Sequence, residues 1–178
     1  RGHTAIGSGC EIGPNAMVRD CIVGKDTTIN ASQVNESTIG SHTTVGPFTY
    51  VRPNCCIGDH CRVGDFVEVK NSVIGDGTKI SHLTYVGDSD VGQRVNFGCG
   101  TVTTNYDGHK KHRCTIGDDV FLGCNTNLIA PVTVADRAYT AAGSTVTDDV
   151  PEGALAIARQ RQTNIRGWAD RLRKTWKK

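Results

Sequence analysis

The chain has no long apolar run: its hydrophobic stretches are only a few residues each, too short for a helix to cross a bilayer. No positively charged, apolar leader opens it, so no secretory signal is expected. Large side chains are scarce. Four Phe, four Tyr and two Trp among 178 residues cannot readily fill a conventional core, while Gly reaches 21. Neither sign of charge dominates, with 20 Lys+Arg against 18 Asp+Glu. No CxxC pair is present to hold zinc, and eight cysteines without a leader do not argue for a disulfide framework. The length fits about one domain, and a start at Arg1 rather than Met is what a fragment of a longer protein would show.

What is present is a beat. Aliphatic residues recur at Ile6, Ile12, Val18, Val23, Ile29, Val34, Ile39, Val45 and Val51, and the series continues through Ile57, Val63, Val69, Ile74, Ile80, Val86, Val91, Phe97 and Val102. After a gap it resumes at Ile116, Leu122, Leu128, Val134, Thr140 and Val146. The step is six residues, occasionally five, which fits neither a 3.6-residue helix nor a hairpin series. It predicts an all-β parallel β-helix of hexapeptide repeats, with each beat a short strand on one side of a triangular coil. Twenty-four beats make eight coils, stacked at ~4.8 Å into a prism roughly 35–40 Å tall. In 13 beats a Gly follows directly, and the expectation is that it turns the corner at positive φ. The period leaves the hand open. Hexapeptide prisms of this kind resemble the left-handed β-helix family, and the left-handed sense comes from that resemblance.

The same register explains most cysteines. Cys10, Cys21, Cys55, Cys61 and Cys114 lie two residues before a beat, where alternation points a small side chain inward. Cys99 and Cys124 instead lie two after a beat. Two segments break the rhythm. The loop 103–115 is either a tolerated surface insertion or part of a binding face. Residues 151–178 separate from the 1–150 repeat domain as a short connector and a helix around Gly167 to Trp176, with Trp168 and Trp176 on one face and expected to pack. From Arg159 onward the net charge is +7, leaving −5 on the body. This basic tail is either a solvated face or a phosphate-binding lid. No stacking platform or nucleic-acid motif accompanies it.

A prism alone is not a function. Zinc hydrolysis needs three converging imidazoles, and the six histidines are scattered. His82 stands out, two after Ile80 and facing outward, with Glu68 and Lys70 on the coil before it and Tyr85 and Asn96 after it. It is either merely solvated or a general base, a role suited to a side chain that titrates near neutrality.

The motifs Val51-Arg52-Pro53, Phe66-Val67-Glu68-Val69-Lys70, His82-Leu83-Thr84-Tyr85-Val86-Gly87-Asp88, Asn105-Tyr106-Asp107-Gly108 and Gly117-Asp118-Asp119-Val120-Phe121 resemble one family. They are similar to the C-terminal half of the bacterial enzymes that are both glucosamine-1-phosphate N-acetyltransferase and N-acetylglucosamine-1-phosphate uridylyltransferase. The close similarity runs from about Val45 to Arg159, and residues 1–44 match only as repeats. The resemblance implies acetyl transfer from acetyl-CoA to the amino group of glucosamine 1-phosphate, feeding UDP-N-acetylglucosamine, peptidoglycan and lipopolysaccharide synthesis, without the uridylyltransferase half. It implies His82 as general base; Arg52, Lys70, Tyr85, Asn96 and Lys111 as sugar-phosphate contacts; and Cys99, Asn105, Tyr106, Cys124, Ala142 and Arg159 as acetyl-CoA contacts. Arg and Lys suit a dianionic phosphate, and Tyr and Asn suit sugar hydroxyls. Glu68 either orients the base or pairs with Lys70.

The family also implies a cytoplasmic homotrimer with active sites between prisms. Its partners are small molecules rather than nucleic acid or membrane. No metal serves the acetyl step; magnesium belongs to the missing half. The chain departs from the family at Cys99 and Cys124, where Ala and Ser are common, and at Arg159-Gln160-Arg161-Gln162, where relatives often carry a Pro before the Gln. Two other readings stand beside this one: a hexapeptide acyltransferase for another amino sugar, and a non-enzymatic trimerisation scaffold.

Overall fold

The computed structural model describes residues 1–176; part of the basic tail noted above, Lys177 and Lys178, lies outside the described residues. Short parallel strands stack into a left-handed β-helix of about nine turns. Each coil has three faces. The first carries Ile6, Val23, Ile39, Ile57, Ile74, Val91, Ile116 and Val134 in register. The second carries Ile12, Ile29, Val45, Val63, Ile80, Phe97, Leu122 and Thr140. The third carries Val18, Val34, Val51, Val69, Val86, Thr103, Leu128 and Val146. These ladders form the core, with Ile29, Val34, Val51, Ile80 and Leu128 fully enclosed. Ile6 and Ile12 are exposed because the first coil has no coil beneath it.

The expected rhythm needs three corrections. The core residue beside Val86 and Leu128 is Thr103, fully buried, while Val102 points outward. Thr103 keeps the six-residue step from Phe97 and donates its hydroxyl to the Gly87 carbonyl at 3.1 Å. Apolarity alone misplaced this beat. The pairing also continues past Val150, which bridges Val134, to strand Leu155–Ala156 against Tyr139–Thr140, where a small Ala replaces the aliphatic marker. Finally, the glycines after the beats do not, in general, turn corners at positive φ. Of these only Gly46 does; the left-handed corners are taken by residues such as Asn54, His60, Phe66, Leu83 and Asp88. The glycines are needed for close approach. A Cβ on Gly24 would lie 2.5 Å from the Ser41 backbone nitrogen of the next coil.

Two before most beats, an inward ladder of Cys, Ser or Thr helps hold the coils together, with Val or Ala in the same place at others such as Val67 and Val95. Thr43 donates to the Gly58 carbonyl at 2.9 Å, and Cys61 Sγ, in the same ladder, donates to the Gly75 carbonyl at 3.2 Å. Cys21, Cys55, Cys61 and Cys114 are buried as expected, and Cys10 is half-buried near the open end. Helix Trp168–Trp176 has Asp170 in its first turn and Arg173 and Lys174 in its last, complementing its dipole. It buries no residue, and Trp168 and Trp176 stand in solvent rather than packing within this chain.

Candidate active site

Strands Arg62–Lys70 and Lys79–Gly87 run unbroken from the second face onto the third, so the two faces share one sheet. Their continuity fixes the corner between them. His82 sits there, exposed, in register with Asp65. Its backbone carbonyl accepts from Thr84 Oγ1 at 2.7 Å, and the imidazole projects outward.

The register carries His82 into a ladder along that edge. Pairing of Ile80 with Phe97, Phe97 with Leu122, and Leu122 with Thr140 places Cys99, Cys124 and Ala142 on successive coils above it. Backbone bonds lock the steps: Asn125 N–H donates to the Cys99 carbonyl, and Gly143 N–H to that of Cys124, both at 2.8 Å. Cys99, Cys124 and Ala142 are all exposed, and the Arg159 side chain passes beside Gly143.

A second group gathers at the opposite edge of the third face. Arg52 and Lys70 each follow a beat of that face, and loop residue Lys111 joins them around an open pocket of about 520 Å³. Asp88 anchors the group from within. It is 4% exposed and accepts from Asn71 Nδ2 at 2.6 Å, from Lys70 Nζ at 3.2 Å, and from Asn105 Nδ2. Burial opposes its ionisation, but the donors Asn71, Lys70 and Asn105 outweigh burial and hold the carboxyl below the usual range. Lys70 keeps its proton more tightly than an ordinary lysine, through its contact with Lys111 and then its bonds to Asp88. Lys111, facing Lys70, holds its own less tightly. Glu68 pairs with Arg52 at 3.0 Å, not with Lys70 or His82, which corrects both roles anticipated for it.

The loop folds back onto this edge. Asn105 is buried, with its amide also donating to the Tyr85 hydroxyl at 3.3 Å, whereas Tyr106 is exposed. Asp107 closes the turn by accepting from the backbone N–H groups of His109 and Lys110, both at 2.7 Å, and pairing with His112 at 2.7 Å. The Lys110 N–H, then His112 and the His109 N–H, hold its carboxyl well below the usual range.

The expected residues thus fall into two half-sites on the two edges of one face. Arg52, Lys70, Lys111, Asn105 and Tyr106 gather at one edge; His82, Cys99, Cys124, Ala142 and Arg159 line the other. Tyr85 lies on the face between them, in register with Glu68. Asn96 is not brought to either group: it pairs with Lys79 on the second face, beyond the His82 corner. Sequence reasoning assigned no role to Asp88, Asn71 or Arg113. Arg113 holds Asp90 at 2.5 Å and caps the Asn71 carbonyl at 3.0 Å. No local signal distinguishes these from ordinary surface polar residues, because their partners are 17 to 42 positions away.

Residues 36–71 and 113–148 match the bacterial transferase hexapeptide (six repeats). The bifunctional protein GlmU of Clostridium acetobutylicum is 55% identical over 171 residues, covering 96% of this chain and 38% of the relative. The chain therefore spans little more than a third of the curated relatives it matches. Among solved structures, perosamine N-acetyltransferase from Caulobacter crescentus, determined as a point mutant in complex with CoA and GDP-perosamine, is 25% identical with a TM-score of 0.58; the match covers 65% of this chain and 53% of that one. LpxA, a UDP-N-acetylglucosamine acyltransferase from Bacteroides fragilis, shares the fold at a TM-score of 0.63 and 15% identity, over 88% of this chain and 69% of its own. With more than half its residues identical along nearly its whole length, the chain is similar to the hexapeptide-repeat part of the bifunctional GlmU proteins.

Proposed function

We propose that this chain transfers acetyl from acetyl-CoA to the amino group of glucosamine 1-phosphate, giving N-acetylglucosamine 1-phosphate. The observation that carries the reading is the convergence of Arg52, Lys70 and Lys111 on one open pocket, a charge pattern suited to a phosphate dianion. The CoA and nucleotide-sugar complex of the perosamine enzyme supports the same class of donor and acceptor on this fold. In the proposed reaction the sugar nitrogen attacks the thioester carbonyl, and His82 takes the proton that nitrogen loses. Backbone N–H groups along the Cys99–Ala142 ladder stabilise the tetrahedral oxyanion. Its collapse breaks the carbon–sulfur bond and releases the CoA thiol. Tyr85 and Asn96 take sugar hydroxyls, and Asn105, Tyr106 and Arg159 hold the donor.

The separation of the two half-sites supports a cyclic trimer. From His82 to the position opposite Lys70 the chain runs five residues, turning the corner at Leu83 and then crossing the third face, a path of ~16 Å at ~3.3 Å each. In a head-to-tail ring, the ladder edge of one protomer faces the loop edge of the next. The second face of one protomer then supplies Asn96, and the basic segment after Ala156 closes over the donor's phosphates as a lid. Exposed free thiols suit a reducing, cytoplasmic setting.

The test compares glucosamine 1-phosphate with glucosamine as acceptor, reading acetylated product by mass spectrometry. The phosphate ester is expected to be strongly preferred. His82→Ala is expected to lower turnover by roughly 10²-fold or more with the oligomer unchanged. Equal rates for the two acceptors would point to another amino sugar, and an unaffected His82 variant would remove the assigned base.

A further inference from the structure

Asp88 is the buried charge at which the two functions of the clamp edge meet. One oxygen accepts from Asn71 at 2.6 Å, and the other from Lys70 at 3.2 Å and from Asn105. Lys70 belongs to the phosphate pocket. Asn105 begins the loop that carries Tyr106 and, six residues on, Lys111. These donors come from one coil, as the neighbours Lys70 and Asn71, and from the inserted segment; the third-face ladder stacks their strands, and the carboxylate is what bonds to both groups. We propose that Asp88 is a positioning residue that ties the acceptor's phosphate clamp to the donor-side loop, so that both half-reactants depend on one buried group. The proposal rests on the acetyl-transfer reading for what each arm binds, but the tie itself rests on the hydrogen bonds.

The chemistry of the site makes the substitution Asp88→Asn informative. A carboxylate offers acceptors to all its partners, whereas an amide presents one acceptor and a donor group to Asn71, Lys70 and Asn105, which all donate. At least one of them is left facing a donor. The electrostatic effect runs the other way, since removing a negative charge beside Arg52, Lys70 and Lys111 strengthens their pull on phosphate. The two effects therefore predict opposite changes for the acceptor.

If Asp88 positions both arms, D88N raises KM for glucosamine 1-phosphate and for acetyl-CoA by about tenfold each, the scale of a lost charge-assisted hydrogen bond, with kcat within about threefold. K70M then moves the acceptor KM alone, whereas N105A, which frees the loop carrying both Tyr106 and Lys111, raises the donor KM and, to a smaller extent, the acceptor KM. Amide exchange across residues 105–112 accelerates in D88N. An acceptor KM that falls, or unchanged KM values with only a lower melting temperature, overturns the proposal. Two readouts need no turnover. Inorganic phosphate, binding at Lys70, is expected to change amide exchange across 105–112 in the unmodified protein, and D88N to weaken that binding. If the chain acetylates nothing, the reaction assignment fails while these still report on the tie; loop exchange indifferent to phosphate overturns the tie even if the enzyme is active.

Discussion

A residue's place relative to its beat decides its chemistry here. Two positions before it, a thiol is buried: Cys114 is fully enclosed and its pKa is pushed up to about 11, mainly by burial. Two positions after it, Cys99 and Cys124 stand in solvent on the His82 edge. Alkylation of the native protein at mildly alkaline pH is therefore expected to modify Cys56, Cys99 and Cys124 and to spare Cys21, Cys55, Cys61 and Cys114, as mapped by peptide mass spectrometry. Saturating acetyl-CoA is expected to protect Cys99 or Cys124; labelling indifferent to it would count against the donor ladder. The core obeys the same rule. Ile80 is fully buried directly before the His82 corner, and Ile80→Ala is expected to destabilise the fold by about 2–5 kcal/mol in denaturant titrations, because the prism wall relaxes little around the cavity.

Elements here are coils and one loop, and each is held by a different interaction. Coils rest on close backbone approach: with a Cβ at Gly24 only 2.5 Å from the Ser41 nitrogen, Gly24→Ala is expected to cost about 1–3 kcal/mol, seen as a lowered melting temperature. The loop rests on charge. Asp107 is ionised more readily in the folded loop than in an unfolded chain, so its stabilisation is fully present above the ordinary aspartate pKa of ~3.9. It is lost as the pH falls through and below that value. Amide exchange at His109 and Lys110, corrected for intrinsic rates, is expected to rise between about pH 5 and pH 3 while the coils stay protected. Asp107→Asn should show the faster exchange already at pH 7.

Taken whole, the molecule divides its proposed site between two edges of one face, so the proposed reaction predicts assembly. Light scattering is expected to give a trimer, and a fully active monomer would contradict the shared groove. Arg159→Ala is expected to raise KM for acetyl-CoA several-fold and leave KM for the acceptor unchanged in steady-state assays, because Arg159 lies beside Gly143 on the ladder edge, whereas the phosphate pocket is on the opposite edge.

The architecture was legible in the sequence because a β-helix is nearly one-dimensional. Each coil contacts only its neighbours, so a six-residue period suffices to place strands, core residues and small buried thiols. Legibility failed where the marker was chemically disguised, at Thr103 and Ala156, where a hydroxyl or a single methyl fills the inward position. The periodicity also put His82, Cys99 and Cys124 on one outward edge, since residues two after a beat stack whatever their identity. Only the tertiary structure showed that Glu68 answers Arg52, that Asp88 gathers Lys70, Asn71 and Asn105, and that Asn96 faces away from both. Those facts depend on which side chains meet across coils and across the inserted loop. A repeat period sets the height of each residue on the prism but not the direction in which a long polar side chain reaches.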